Sequence, residues 1–353
     1  ITGKINNSPL ISGYIQQTKA QLQIRFPNGT MWSTQNQIKL VDDTGRVYFD
    51  PIRIPDDVPN YEEQLEWLVS NINLEKDSLL KSLQKFPSIQ FGLEQALLSL
   101  ASTDSFELFP SGFTTSENPV EINGLIWMGD TAFMKEQLQQ KLEQGFRCIK
   151  MKIGAIDFKS EIRLLESIRK NFDSDQIELR VDANGAFSPN DALKKLTMLS
   201  QLDLHSIEQP IKQGQWEEMK NLCQQTPLPI ALDEELIGIT ELAQKELLLK
   251  TIQPQYIILK PSLVGGFQGS QEWIAAADKN NIGWWVTSAL ESNIGLNAIA
   301  QWTAVLDNPL PQGLGTGSLF TNNFTSPLVV ANGGIYYDTS KNWQEHLISD
   351  LCI

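Results

Sequence analysis

The chain has little histidine and little cysteine. Its 353 residues include two histidines, His205 and His346, and three cysteines, Cys148, Cys223 and Cys352. So few histidines argue against a histidine-based zinc site and weaken any Ser-His-Asp scheme. The cysteines are odd in number and have no metal-site spacing, which suits a reducing compartment and sets the expectation of a cytoplasmic protein. No uncharged apolar run approaches the ~18 residues of a membrane span, so no membrane partner is expected. No secretory signal stands at the start. The chain begins at Ile1, and we expect it to have been trimmed there, with any targeting segment lost. No GxGxxG or GxxxxGK[ST] loop occurs, which removes the usual signs of a dinucleotide or nucleoside triphosphate site. Positive charge is also short: 28 Lys and Arg against 42 Asp and Glu leave a net charge of -14. Such a chain repels polyanions, so no nucleic-acid partner is expected.

The rest of the composition is that of an ordinary globular protein, 41% hydrophobic and 20% charged. The length allows one large domain or two of common size. The first ~100 residues read as α+β. "AQLQIRF", "NQIKLVDD" and "GRVYFD" look like strands; "NYEEQLEWLVSNI" and "SIQFGLEQALLSLA" have helical spacing, with Asn60 and Ser88 as expected caps. From about residue 120 a strand-then-helix pattern repeats some seven times, in units of about 25 to 30 residues, and ends in a short strand near "QGLGTG". This alternation implies a parallel sheet with helical crossovers, and eight strands suggest a modified (β/α)8 TIM-type barrel. An open doubly wound sheet is the alternative, but it would normally carry a Gly-rich loop after its first strand. The expected division is an α+β capping domain over 1–110, joined by part of the C-terminal tail (327–353), and a catalytic barrel over 111–326.

In such a barrel the C-terminal strand ends form one rim. Read in order, those ends supply Lys150 and Lys152 ("CIKMKIG"), Asp182 and Asn184 ("RVDANG"), Glu208 ("SIEQP"), Asp233 and Glu234 ("IALDEE"), Lys260 ("IILKPS"), and Thr287, Ser288 and Glu291 ("VTSALES"). Each has an ordinary reading. Asp182 suits an Asx turn, Glu208 a loop, Asp233 a helix cap, and Lys260 the surface. The lysine pair suits a half-exposed strand, since alternation puts both on one face. The regularity favours a site. Asp182, Glu208 and Asp233 follow one another at about one βα unit, so three carboxylates meet on adjacent strands. They require a compensating cation, and all-oxygen ligation selects a hard ion, Mg²⁺ with Mn²⁺ as the alternative. Lys152 and Lys260 would then face one another across it. There they could act on the α-carbon of a small-molecule carboxylate, Lys152 as base, with Lys150 placed to tune and position it.

Taken together, Lys-x-Lys, "VDANGA", "IEQP", "ALDE", "LKPSLVGG" and "ESNIGL" in this order resemble the enolase superfamily, in its muconate-cycloisomerase-like subgroup, over about residues 85–330. "INGLIWMGD", "LHSIEQPIKQGQW", "PQYIILKPSLVGGFQGS", "TSALESNIGLNAIAQWTA" and "PQGLGTGSLFTNN" look more narrowly like its o-succinylbenzoate synthases. These dehydrate 2-succinyl-6-hydroxy-2,4-cyclohexadiene-1-carboxylate in menaquinone biosynthesis. The resemblance implies that Lys152 abstracts the α-proton and returns it to the departing hydroxide, and that Lys260 stabilises the enediolate. It implies that Asp182, Glu208 and Asp233 hold Mg²⁺, with Asn184 and Lys150 in support. It places Thr287, Ser288 and Gly313 near the succinyl carboxylate, with Gly315 and Gly317 allowing close backbone approach. Family members often form homo-oligomers, although nothing in the sequence reports an interface.

The first 60 residues depart from the family pattern. "GRVYFDPIRIPDD" stands where many members have Gly-x-Gly-Glu, and "GTMWSTQNQ" where relatives often have Ser-Arg-Gly. No arginine lies between Phe26 and Lys39, although the implied substrate is a dianion. Both departures bear on substrate choice and lid closure. Three other functions remain open. N-acylamino-acid racemases and dipeptide epimerases also use one lysine on each side of the α-carbon; "QGLGTGSLF" lacks the acidic residues that dipeptide epimerases usually use to hold a substrate ammonium. A Schiff-base aldolase on Lys260 would not need three carboxylates, and a non-catalytic barrel would need neither lysine. His205 reads as a packing residue, and Trp284 and Trp285 as barrel and helix packing.

Overall fold

The structure is a computed structural model that describes residues 60–127, 129–317 and 323–345, with the backbone of four short strands nearer the N-terminus. Those strands are β1 (Gln23–Arg25), β2 (Met31–Thr34), β3 (Ile38–Val41) and β4 (Val47–Tyr48), paired in order as an antiparallel meander. β2 was not expected from the sequence. "MWST" has no period-2 alternation, and its strand form comes from pairing on both sides. The other stretch that departs from the family pattern lies mostly outside the described residues, as do His346 and Cys352.

Helices α1 (Tyr61–Asn71), α2 (Lys76–Leu83) and α3 (Pro87–Ala101) follow. The two expected caps do not cap. Asn60 holds the N-cap position but is left-handed, at φ 64°, and its side chain makes no capping bond. α3 starts one residue before Ser88, at Pro87, whose fixed φ suits the first helical position.

Beyond β5 (Val120–Glu121), seven parallel strands lie side by side in chain order: β6 (Gly124–Ile126), β7 (Cys148–Lys152), β8 (Glu178–Asp182), β9 (Ser206–Glu208), β10 (Ile230–Leu232), β11 (Tyr256–Leu259) and β12 (Gly283–Val286). The crossovers are α4 (Thr131–Glu143), α5 (Phe158–Arg169), α6 (Pro189–Leu199), α7 (Trp216–Gln225), α8 (Leu242–Ile252), and the pair α9 (Pro261–Val264) and α10 (Gly266–Lys279); α11 (Asn293–Leu306) follows β12. Asp130, Asp157, Ser188 and Ser292 accept backbone N–H bonds at the starts of α4, α5, α6 and α11. Each such cap contributes about 1 kcal/mol and fixes where a strand-end loop stops.

The expected closing strand near "QGLGTG" is only two residues of pairing, and it joins both edges of the sheet. Gln312 bridges in parallel to Ile122, just before β6, and Gly313 bridges to Thr287, just after β12. Gly313 N–H donates to Val286 O at 2.8 Å, and Gln312 N–H to Glu121 O at 2.9 Å. The Gly313 backbone passes so close to Thr287 that an added Cβ would lie 2.6 Å from the Thr287 Cβ. Gly313→Ala is therefore expected to cost about 1–3 kcal/mol through overpacking at the closure, read as a lower urea midpoint.

The strands are buried on both faces, as a covered parallel sheet requires. In β7 all five residues are buried. Alternation sends Ile149 and Met151 outward to the helices, where they join the apolar core, and sends Cys148, Lys150 and Lys152 into the barrel interior. The interior holds a separate small apolar cluster of Ala231, Ile258 and Trp285. At the tail, β13 (Leu328–Ala331) and β14 (Gly334–Tyr337) form a hairpin whose inner strand pairs with β5, and Trp343 stacks on Phe106 at 4.3 Å.

α3 docks on the start of α10. Glu94 accepts from Phe267 N–H at 2.5 Å and Gln268 N–H at 3.1 Å, and Gln90 donates to Gly265 O at 2.8 Å. Burial raises the Glu94 carboxyl to about 7, and the two N–H groups offset only part of that. Between about 4.5 and about 7 the folded chain therefore holds a proton that the unfolded chain has released. Stability attributable to Glu94 falls as pH rises through that window and is flat on either side, by on the order of 3 kcal/mol. Urea titrations at pH 5 and pH 8 should show a smaller difference for Glu94→Gln than for the wild type.

Candidate active site

The strand ends bring Lys150, Lys152, Asp182, Glu208, Asp233 and Lys260 to one buried rim. Register explains the meeting: Lys152 lies beside Asp182 and Asp182 beside Glu208, on adjacent parallel strands. Lys150 Nζ donates to Glu208 Oε2 at 2.8 Å and Asp182 Oδ2 at 3.2 Å. Lys152 Nζ lies 2.7 Å from Asn184 Oδ1 and 3.1 Å from Asp182 Oδ2. Lys260 Nζ pairs with Asp233 Oδ2. The two lysines expected to face each other thus stand at opposite ends of the carboxylate row. Lys150 meets Lys152 through their shared partner, Asp182.

Several ordinary readings fail here. Lys260 and Glu208 are buried, and Asp233 makes no capping bond. One holds in part. Asp182 Oδ1 accepts Asn184 N–H at 3.0 Å in an Asx turn, while Oδ2 faces the lysines. That turn leaves Asn184 left-handed, at φ 42°, which swings its side chain back over the rim. His205 is away from these groups, with Nδ1 2.9 Å from Ser206 Oγ and its ring beside Tyr256 and Trp285.

Electrostatics are unusually concentrated. Counting Glu234, four buried carboxylates (Asp182, Glu208, Asp233, Glu234) face three buried lysines (Lys150, Lys152, Lys260). Burial alone would drive every one of these groups neutral. At Lys150 and Lys260 the carboxylates override burial and hold the ammoniums above the ordinary lysine value. Asp182 is held well below the carboxylate range, because Lys152 and Lys150 outweigh its burial. Glu208 is pushed well above it by burial and by Asp182 and Asp233. Burial also raises Asp233 and Glu234. Glu208 Oε1 and Glu234 Oε2 are buried with no hydrogen-bond partner. Among the described residues no three acidic, His or Cys side chains converge as a metal-binding group. Lys150 and Lys260 instead cover the carboxylates.

At the closing side, Thr287 Oγ1 donates to Gly313 O at 2.8 Å, Ser288 N–H donates to Gly313 O at 3.0 Å, and the Ser288 hydroxyl pairs with Thr316. Close approach holds at Gly313 and Gly317, where a Cβ would be crowded, but not at Gly315, where it would meet only ordinary contact. Of three further rim residues, the sequence names Glu234 at its strand end without a role and does not name the other two. Glu234 accepts from Asn184 Nδ2 at 2.9 Å; strand alternation points it away from the rim, but a 3-10 turn over Glu234–Leu236 begins there and turns it back. Trp127 lies at the end of β6 with its ring 5.8 Å from Lys152 Nζ; its place at a strand end was the available signal. Thr316 had none, being set only by its partner.

A sequence profile described as Enolase C-terminal domain-like matches residues 133–340. The chain belongs to this family. Within the enolase family it is 57% identical, over 249 residues, to an o-succinylbenzoate synthase of Desulfotalea psychrophila, spanning 70% of this chain and 67% of that one. The crystal structure of MenC from the same organism superposes with a TM-score of 0.76 at 41% identity, covering 90% of this chain and 97% of that one. An L-Ala-D/L-Glu epimerase of Bacillus subtilis is 27% identical over 213 residues, 59% of this chain and 54% of that one. Muconate lactonizing enzyme from Pseudomonas putida, at 19% identity and a TM-score of 0.68 over 90% of this chain and 92% of that one, shares the fold. No helix among the described residues is long and apolar enough to cross a membrane.

Proposed function

We infer that this chain is an o-succinylbenzoate synthase, a hydro-lyase that dehydrates 2-succinyl-6-hydroxy-2,4-cyclohexadiene-1-carboxylate. The observation that carries this reading is the 57% identity to a synthase of that name. The rim supplies the chemistry. Lys152, as the neutral amine, takes the proton α to the ring carboxylate. The C–H pair moves into the carboxylate to give an enediolate, then returns to form the new ring double bond as the C–O bond to the neighbouring hydroxyl breaks. The proton on Lys152 passes to the departing hydroxide on the same face, so water leaves and the ring becomes aromatic. Lys260, buried and held charged by Asp233, supplies fixed positive charge beside the enediolate. Asn184 and the shared Asp182 orient Lys152, and Lys150 balances Asp182 and Glu208.

The donor set fits Mg²⁺. It is all oxygen, it brings three buried carboxylates together, and Glu208 Oε1 has no hydrogen-bond partner. Asp182, Glu208 and Asp233 would hold the ion after Lys150 and Lys260 yield some of their contacts. When bound it supplies positive charge where the substrate carboxylate gains electron density. Thr287, Ser288, Gly313 and Gly315, around the barrel closure, would receive the succinyl carboxylate. We further assign residues 1–110 with part of 327–353 to a cap, and 111–326 to the barrel.

Steady-state turnover of the cyclohexadiene, with Mg²⁺ and with EDTA, tests the reading. Loss of diene absorbance that needs the ion is expected; no turnover by folded, Mg²⁺-binding protein would sink the named substrate. Racemisation of an N-acylamino acid is the second reading, favoured only by the two lysines flanking the carboxylates.

A further inference from the structure

Gln209 follows Glu208 at the end of β9, and its side chain is completely buried. Its backbone is left-handed, at φ 39°, a cost that a non-glycine residue bears only where its surroundings compel it. Every hydrogen-bonding valence of its amide is used, three of the four across to the end of the next strand. Oε1 accepts from Asp233 N–H at 3.2 Å and Glu235 N–H at 3.3 Å. Nε2 donates to Ile211 O at 3.0 Å and Glu235 Oε2 at 3.2 Å. Glu235, also buried, uses its second oxygen to accept Gly214 N–H at 2.7 Å. The Gln209 carbonyl O in turn accepts Gly185 N–H at 2.7 Å, from the turn after Asp182 and Asn184.

Resting on the reading of Asp182, Glu208 and Asp233 as Mg²⁺ ligands, we propose that Gln209 and Glu235 form a clamp that sets the spacing of those three carboxylates, with Gln209 as a positioning residue. One residue joins all three strand ends: it is bonded in the chain to Glu208, it holds the N–H of Asp233, and its carbonyl holds the turn after Asp182. Three carboxylates of like charge repel, and the clamp adds to the ladder bonds from Ala183 N–H to Glu208 O at 3.0 Å and from Gln209 N–H to Ala231 O at 2.9 Å in holding their backbones at one spacing. Hydrogen bonds inside a dry site resist that motion better than water-exposed ones.

The test is Mg²⁺ affinity of the substrate-free protein by titration calorimetry, for wild type, Gln209→Met and the swap Gln209→Glu with Glu235→Gln. Gln209→Met keeps the volume and removes all four side-chain bonds. The swap keeps total charge, the acceptor for Asp233 N–H and the bond between the two side chains. The clamp predicts Mg²⁺ binding at least about 10-fold weaker in Gln209→Met, as for other groups that orient metal ligands, and within about threefold of wild type in the swap. Met219→Ala, in α7 and outside this network, controls for general destabilisation and should bind like wild type. If Gln209→Met fails to fold, the swap and Glu235→Leu, expected to bind about 10-fold more weakly, carry the comparison. Unchanged affinity in folded Gln209→Met, or in Glu235→Leu if it must stand in, would overturn the clamp alone. Absent binding in wild type would overturn the ligand assignment and the clamp with it.

Discussion

Lys152→Ala is expected to lower kcat on the cyclohexadiene carboxylate by about 10²- to 10⁴-fold, the range that a positioned acid-base group contributes. The loss should fall on kcat more than on KM, because Lys152 acts on a proton and does not anchor a substrate charge. Asp182 keeps Lys150 as a partner in the variant, so the rim stays paired and the chain should fold. Steady-state rates, with circular dichroism to show folding, settle the matter. A variant retaining a tenth of the wild-type kcat would remove Lys152 from the role of base.

The second large effect is on stability. Lys150→Met removes the only ammonium within reach of Glu208 among the described ion pairs, and one of the two on Asp182. Both carboxylates are buried, and stripping a partner from a buried ion pair costs about 3–5 kcal/mol. A rescue is also expected. Mg²⁺ should return part of the lost stability, because it supplies to the same oxygens the charge that Lys150 supplied. Urea titrations of wild type and variant, in EDTA and in Mg²⁺, measure both effects. A cost below about 1 kcal/mol in EDTA would mean that Glu208 is simply protonated and needs no cation.

Much of this is legible in the amino-acid sequence. A repeat of strand then helix leaves few ways to bury both faces of a sheet, so the barrel follows from periodicity. The rim follows from one further rule, that βα loops open at the C-terminal strand ends. Lys150, Lys152, Asp182, Glu208, Asp233 and Lys260 can all be named that way. The lysine pair has an ordinary reading as a solvated strand face, and alternation does place both on one face. That face is the barrel interior. What stays hidden depends on turns and on pairing. Glu234 can be named at its strand end, but it reaches Asn184 only because a 3-10 turn breaks the alternation. β2 is a strand because of its neighbours on both sides. Asn60 and Ser88 are good capping residues by type, but Pro87 and a left-handed Asn60 decide where the helices begin. Gln209 is visible only as one letter of "IEQP"; three of its four bonds run to Asp233 and Glu235, which no local pattern links to it.

If this rim eliminates water, its two lysines do not chiefly exchange a proton across one carbon. The most direct test compares kcat/KM of the wild-type protein, in Mg²⁺, for 2-succinyl-6-hydroxy-2,4-cyclohexadiene-1-carboxylate and for an N-succinyl amino acid, with racemisation of the latter followed by polarimetry. Dehydration should exceed racemisation by at least about 100-fold, a transition-state preference of roughly 3 kcal/mol. Racemisation as efficient as dehydration, or faster, would make the rim a racemase site and refute the assignment of a dehydratase.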